Sequence, residues 1–112
     1  MNILFITNEL RKRCNDPRLA QRGWGGHRAK LVGRRLDQLK AAPTLADFMP
    51  TPGRPHALHG DREGEFTVDL DGPYRLVFEP ADKPLPVSPT TNELIYEQVT
   101  SVCIRGVEDT HE

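Results

Sequence analysis

The chain has 112 residues, of which 37% are hydrophobic, and a formal net charge of −1. A chain of this length is typical of one domain with a single modest core. No apolar run is long enough to cross a bilayer, and the first ten residues are too short and lack the basic start of a secretory signal. We therefore expect residues 1–112 to form one domain, in the cytoplasm and away from membranes.

Charge is distributed unevenly along the chain. Residues 1–55 contain 11 Lys and Arg against 4 Asp and Glu, a net of +7, whereas residues 56–112 contain 4 against 12, a net of −8. If the two halves are also segregated in space, the basic side could steer a polyanion toward the protein. A solvated basic helix face beside an acidic sheet explains the same pattern equally well.

The first half of the sequence predicts a strand followed by helices. Residues 2–6, NILFI, are rich in β-forming side chains, and Thr7 or Asn8 can cap a short helix that reaches about Cys14. Asp16-Pro17 is a capping residue followed by proline, which predicts a second helical start.

A longer amphipathic helix is predicted over residues 27–42. Its apolar residues recur at spacings of three and four, with basic residues around the rest of the cylinder, and Pro43 ends it. Thr44 with Asp47 resembles a capping box for one further helical turn.

The second half predicts strands. In EFTVDL and in YRLVF, apolar and other residues alternate, which is the pattern of half-buried strands, and Asp71-Gly72 between them predicts a hairpin. Residues 80–93 contain four prolines and predict a loop, and residues 98–107 predict the last strand.

Helices followed by strands predict an α+β fold, with the N-terminal helices packed on one face of a small, mostly antiparallel sheet. The hairpin pattern places Arg75 on the opposite face, near Thr67 and Asp69. The function of that face is the central question that the sequence raises.

No metal or cofactor site is predicted. The pair His56-x-x-His59 lacks a third and fourth ligand at usable spacing, and Gly23–Gly26 does not match a phosphate-binding loop. Cys14 and Cys103 lie in no metal-binding spacing and are expected to be reduced thiols.

Metal-independent acid/base chemistry on a polyanion is the more specific hypothesis. It needs an imidazole that titrates near neutral pH and a fixed cation for the developing charge on phosphorus. His56, His59, Arg75 and His111 could converge on one concave surface to supply both. The alternative is that Arg75 pairs with Asp69 across the hairpin and that the histidines are ordinary surface residues.

Residues 56–80, HALHGDREGEFTVDLDGPYRLVFEP, followed later by a strand and EDTH, resemble the HigB-like or "killer protein" branch of the RelE/ParE superfamily of bacterial type II toxins. The resemblance implies a small curved sheet with helices on one side and an RNA site on the concave side. It also implies a toxin that cuts messenger RNA in the ribosomal decoding site. A HigA-like helix-turn-helix antitoxin would neutralise it and would connect it indirectly to operator DNA.

The resemblance also implies roles for individual residues. His56 and His111 would transfer protons, in an order that stays open, Arg75 would hold the scissile phosphate, and Asp109 would orient a histidine. The residues implied in RNA binding are His59, Arg62 and Thr110.

Two positions differ from the family pattern. His59 stands where the family has lysine and Thr110 where it has tyrosine, so that either the activity is reduced or His59 and another aromatic residue, such as Tyr96 or Trp24, compensate. Two other functions therefore stay open. One is a catalytically degenerate homologue that binds antitoxin and modulates operator binding; the other is a ParE-like gyrase inhibitor, which the combination of His56, Arg75 and His111 disfavours.

Overall fold

The structure is a computed structural model that describes residues 1–110. Its helices and strands, in chain order, are β1 (Asn2–Phe5), α1 (Asn8–Asn15), α2 (Pro17–Trp24), α3 (Gly26–Ala41), α4 (Leu45–Phe48), β2 (His56–Ala57), β3 (Phe66–Asp69), β4 (Tyr74–Pro80) and β5 (Ser101–Asp109), with short 3-10 turns at Gly60–Arg62 and Tyr96–Gln98. No helix within this range is long and apolar enough to span a membrane.

The five strands form one open sheet in the order β1-β5-β4-β3-β2. β1 runs parallel to β5, and every other neighbouring pair is antiparallel. This arrangement confirms the predicted α+β class with a mostly antiparallel sheet. β2 was not predicted, because two residues are too few to show alternation, and β5 extends two residues beyond the expected end at Val107.

The predicted local signals are present in the structure. The Asp16 side chain accepts a hydrogen bond from the Arg18 amide at the start of α2, and Thr44 and Asp47 form both halves of the capping box of α4. Gly72 in the hairpin turn has φ +52°, a left-handed conformation that glycine adopts at little cost. These signals fix where the elements begin and where the chain turns.

The core lies between the helices and one face of the sheet. The ring of Phe78 in β4 lies at its centre, with its centroid 5.6 Å from those of both Phe48 and Phe66. The largest fully buried apolar residues around it include Val32, Leu39, Leu45, Val68, Leu76, Val102 and Ile104. Because these side chains come from helices and alternate strand positions, the opposite face of the sheet is left without a helical cover.

A buried arginine joins the helical layer to the hairpin. Arg35 of α3 is only 9% exposed, and its Nε donates to the carbonyl oxygen of Asp69 at 2.8 Å. The Asp69 amide in turn donates to the carbonyl oxygen of Gly53 at 2.7 Å. At Gly53, φ is +106°, and an added Cβ would lie 2.6 Å from Val68 Cγ2 and 2.8 Å from Arg35 Nε. Only glycine fits this crossing without displacing its neighbours.

Gly53→Ala is therefore expected to lower the free energy of unfolding by roughly 2–3 kcal/mol, because it adds both backbone strain and a steric clash. Gly33→Ala is the matched control: Gly33 lies inside α3, where an added Cβ meets nothing within 4 Å. That variant is expected to gain roughly 0.5–1 kcal/mol. Urea unfolding of the two variants and the wild type measures both changes, and equal stabilities would contradict the close approach at Gly53.

Candidate active site on the open face of the sheet

The open face is the side of the sheet that faces away from the helices. On it, His56 of β2 lies opposite Thr67 of β3, and in the next row Asp69 lies opposite Arg75 of β4, which lies opposite Glu108 of β5. The prediction that Arg75 lies near Thr67 and Asp69 is thus confirmed. Two neighbouring rows bring an imidazole, a guanidinium and two carboxylates together.

The orientation of His56 is defined by both ring nitrogens. Nδ1 lies 2.9 Å from the carbonyl oxygen of Arg54, and Nε2 lies 3.3 Å from Oγ1 of the fully buried Thr67. A carbonyl can only accept a hydrogen bond, so Nδ1 carries the proton. Nε2 is therefore the nitrogen that can gain or lose a proton while the Arg54 contact is kept.

Arg75 is held on two sides. Its Nε lies 2.8 Å from Asp69 Oδ1, and its Nη1 donates to the carbonyl oxygens of Gly72 and Tyr74, both at 2.9 Å. The ion pair between Arg75 and Asp69, which the sequence analysis gave as the alternative role of Arg75, is therefore present. Within residues 1–110, Nη2 of Arg75 makes no hydrogen bond to protein, which leaves this amino group as a donor for a bound anion.

Asp69 is shared between two arginines. Its Oδ2 lies 2.7 Å from Nε of Arg54, on the side away from Arg75. Its Oδ1 is buried and accepts no well-aligned hydrogen bond from the described residues, so the short contact from Arg75 is an ion pair without hydrogen-bond geometry. The carboxylate therefore lies between two positive charges.

A second group of charges occupies the β5 side of the open face. Arg62 makes paired hydrogen bonds to Glu108, at 2.7 and 2.8 Å, and one to Glu65 at 2.7 Å. Arg105 contacts Glu65 at 3.4 Å and Glu79 at 3.2 Å. Arg105 lies at the register shift in the β4–β5 ladder, an irregularity that changes where a side chain points.

The ion pairs described on the open face are balanced in charge. Four arginines and four carboxylates are joined in these ion pairs: Arg54, Arg62, Arg75 and Arg105 with Glu65, Asp69, Glu79 and Glu108. The arginine bonds to Glu108 hold the pKa of that carboxyl below its usual value, with Arg62 the main cause. A phosphate group approaching this face has to compete with carboxylates already in place.

The other residues predicted for the site are not all on the open face. Asp109 lies opposite Tyr74, so strand alternation assigns it to the helix-covered face, where the Arg28 guanidinium of α3 lies 3.5 Å from the centroid of the Tyr74 ring. The Thr110 amide donates to the carbonyl oxygen of Pro73 at the hairpin turn. His111 lies outside the described residues.

His59 is exposed and lies apart from the two rows. It lines a groove of about 1060 Å³ between the sheet edge and the proline-rich loop, together with Tyr96 and Leu85. Within residues 1–110, no group of three or more His, Cys, Asp or Glu side chains could hold a metal ion.

Two residues of the site were missed at the sequence level. Glu108 would have been found had the last strand been extended beyond Val107, since alternation then places it opposite Arg75. No pattern in the sequence pointed to Arg54. Its contacts depend on a left-handed backbone with φ +50°, which the sequence TPGRP does not predict.

The fold is that of bacterial toxins of the YoeB/ParE type. Among solved structures, the chain is similar to the YoeB/ParE toxin from Agrobacterium tumefaciens, with a TM-score of 0.61, 11% identity and coverage of 99% of this chain and 100% of that one. It is also similar to the YoeB dimer and to the YoeB–YefM complex from Staphylococcus aureus, with TM-scores of 0.57 and 0.55, and in both cases 14% identity and coverage of 100% of this chain and 98% of the other. No protein-family model and no curated protein matches the sequence.

Acid should weaken the β5 side of the open face. The lowered pKa of Glu108 means that its pairing with Arg62 stabilises the fold above the ordinary glutamate value of 4.5 and that this contribution is lost as the pH falls below it. Glu108→Gln should therefore flatten the dependence of stability on pH below about 5, measured by thermal melting from pH 3 to 7. Parallel curves for the variant and the wild type would contradict the pairing.

Proposed function

We propose that this protein is the toxin of a type II toxin-antitoxin system and a ribosome-dependent messenger RNA endonuclease of the HigB-like branch. The main support is the open face, where His56 and Arg75 occupy neighbouring rows and each is fixed by contacts of its own. The YoeB/ParE-type fold and the sequence resemblance over residues 56–80 agree with this function.

The proposed reaction needs no metal. The ribose 2′-oxygen attacks the adjacent phosphorus in line while a base takes its proton and an acid protonates the departing 5′-oxygen. Nε2 of His56 performs one of these transfers and His111 the other. Nη2 of Arg75 binds a phosphate oxygen and stabilises the added charge of the transition state, and Asp109 orients a histidine.

RNA binding outside the reacting centre is assigned to His59, Arg62 and Thr110. Arg62 is bonded to Glu65 and Glu108, so it must exchange a carboxylate for a phosphate when RNA binds. The basic helices provide a second surface, suited to ribosomal RNA. Their exposed cations are Arg11, Lys12, Arg13, Arg18, Arg22, Lys30, Arg34 and Lys40.

The proposed protein partner is a HigA-like helix-turn-helix antitoxin, encountered in the cytoplasm. One of the similar solved structures is a YoeB–YefM complex, which supports binding of a dedicated partner by this fold. Operator DNA would be contacted only through that antitoxin.

One observation favours a second candidate, a degenerate homologue that binds antitoxin without cutting RNA. All four arginines of the open face are already paired with carboxylates. Together with Thr110 in place of tyrosine, this pairing lowers the expected affinity of the face for RNA.

Mapping of transcript 5′ ends after brief expression in bacterial cells without the antitoxin tests the proposed function. New in-frame ends within translated messages, absent for His111→Ala, are the expected result. Normal growth without new ends would favour the non-catalytic binder, and growth arrest with intact transcripts and altered DNA supercoiling would favour gyrase as the target.

Arg75→Ala is expected to reduce RNA cleavage by about 10²–10³-fold, the usual cost of removing one donor to a transition-state oxyanion. Its free energy of unfolding should fall by only about 1–2 kcal/mol, because Asp69 keeps its ion pair with Arg54. Arg105→Ala is the control, since it removes an ion-paired arginine from the same face. Equal cleavage by both variants would contradict the role of Arg75.

A further inference from the structure

The two central side chains of the open face are connected through one residue. The carbonyl oxygen of Arg54 receives Nδ1–H of His56 at 2.9 Å, while its guanidinium lies 2.7 Å from Asp69. Asp69 in turn lies 2.8 Å from Nε of Arg75. A continuous path of short contacts therefore runs from the imidazole to the cation that is proposed to bind phosphate.

The carboxylate in the middle of this path is rigidly placed. The side chain of Asp69 is only 19% exposed. Its own amide and carbonyl are bonded to Gly53 and to the buried Arg35. These bonds fix the main chain of Asp69, and the contacts with Arg54 and Arg75 hold its carboxylate from two sides.

Arg54 has a backbone conformation that is uncommon for its residue type. Its φ of +50° lies in the left-handed region, which costs a residue with a Cβ roughly 1 kcal/mol or more. That conformation turns the carbonyl toward His56 while the side chain, 75% exposed overall, reaches Asp69. Such conformations persist where surrounding contacts determine them and are concentrated at functional sites.

Glu108, the carboxylate opposite Arg75, is engaged elsewhere. Glu108 lies opposite Arg75 in the sheet but is bonded to Arg62 through both carboxylate oxygens. Arg54, Asp69 and Arg75 together therefore keep a net charge of +1, which complements one phosphodiester. The Nη2 group of Arg75 can bind that phosphate without loss of the Asp69 contact.

We propose that Asp69 and Arg54 are positioning residues of the open-face site. Asp69 fixes the guanidinium of Arg75, and Arg54 couples this carboxylate to the tautomer and orientation of His56. Neither residue binds the RNA; both set the spacing between the phosphate-binding cation and the proton-transferring imidazole. The inference rests on the proposed RNA cleavage. It adds two residues, Asp69 and Arg54, that act on the reaction through Arg75 and His56.

The first test compares Asp69→Asn with the wild type in single-turnover cleavage of a ribosome-bound transcript. The maximal rate is expected to fall at least about 10-fold, with less than a threefold change in the half-saturating concentration, because positioning acts on geometry more than on affinity. Glu79→Gln is the matched control, the same carboxylate-to-amide change on the same face, and its rate should stay within twofold. An unchanged or higher maximal rate for Asp69→Asn would show that Asp69 competes with RNA for Arg75 instead of positioning it. That result would overturn the inference.

The second test asks whether Arg54 acts through Asp69. Arg54→Asn tolerates the left-handed backbone and keeps the carbonyl for His56, but its side chain is too short to keep the ion pair. Its rate should fall, and the double variant with Asp69→Asn should be no slower than Asp69→Asn alone. If the rate losses of the two single variants multiply in the double variant, Arg54 contacts RNA directly, which would contradict the inference.

The third measurement uses the protein without RNA, so that the two proposals are tested separately. In ¹⁵N NMR spectra, the Arg75 Nε–H signal should carry the shift caused by the adjacent Asp69 carboxylate, and Nδ1–H of His56 should be protected from solvent exchange, both in the wild type and in Glu79→Gln. The Arg75 Nε–H signal should move in Asp69→Asn; if that variant does not fold, the Nδ1–H signal of His56 should move in Arg54→Asn. Spectra of Arg75 and His56 that are unchanged in a folded variant would overturn the inference even if RNA is cut. The expected spectral changes, with no cleavage by the wild type, would overturn the proposed function together with the catalytic contribution of Asp69 and Arg54.

Discussion

Asp69 is the residue at which the separate parts of the molecule are joined. Its amide donates to the loop carbonyl of Gly53, its carbonyl accepts from the buried Arg35 of α3, and its carboxylate lies between Arg54 and Arg75. The last residue of β3 thus contacts the helical layer, the incoming loop and the open face. One residue therefore connects the packing of α3 with the geometry of the open face.

Burial of the Arg35 guanidinium of α3 costs free energy at this junction. Burial lowers the pKa of Arg35, since a charged guanidinium is costly away from water. Its hydrogen bonds to the Asp69 carbonyl and to Gln38 offset part of that cost, and Gln38 donates onward to the carbonyl oxygen of Pro52. The loop that leads into β2 is therefore held by the same polar network that supports Asp69.

Local signals in the sequence were sufficient for most of the fold. Alternation identified β3 and β4, helical spacing identified α3, and capping residues identified where α2 and α4 begin. The parallel pairing of β1 with β5 was not predicted, because its partners lie about a hundred residues apart and no turn sets their register. Alternation also located Arg75 on the open face. The bonds from Arg62 to Glu108 could not be foreseen, because periodicity gives the face of a side chain and not its partner across 46 residues.

The arginines of the open face differ in exposure and in the number of contacts that hold them. Arg62 and Glu108 are each more than a third exposed, so water screens their paired hydrogen bonds, and exchange of Glu108 for another anion should cost less than it would for a buried pair. Arg75 is 16% exposed and is bonded to two carbonyls as well as to Asp69, so its release would cost more, but its Nη2 group can receive a phosphate with those contacts intact. For the RNA binding proposed above, Arg75 would therefore provide a preorganised contact at a fixed position. Arg62 would provide an exchangeable contact, which adds affinity only when a phosphate is already held nearby.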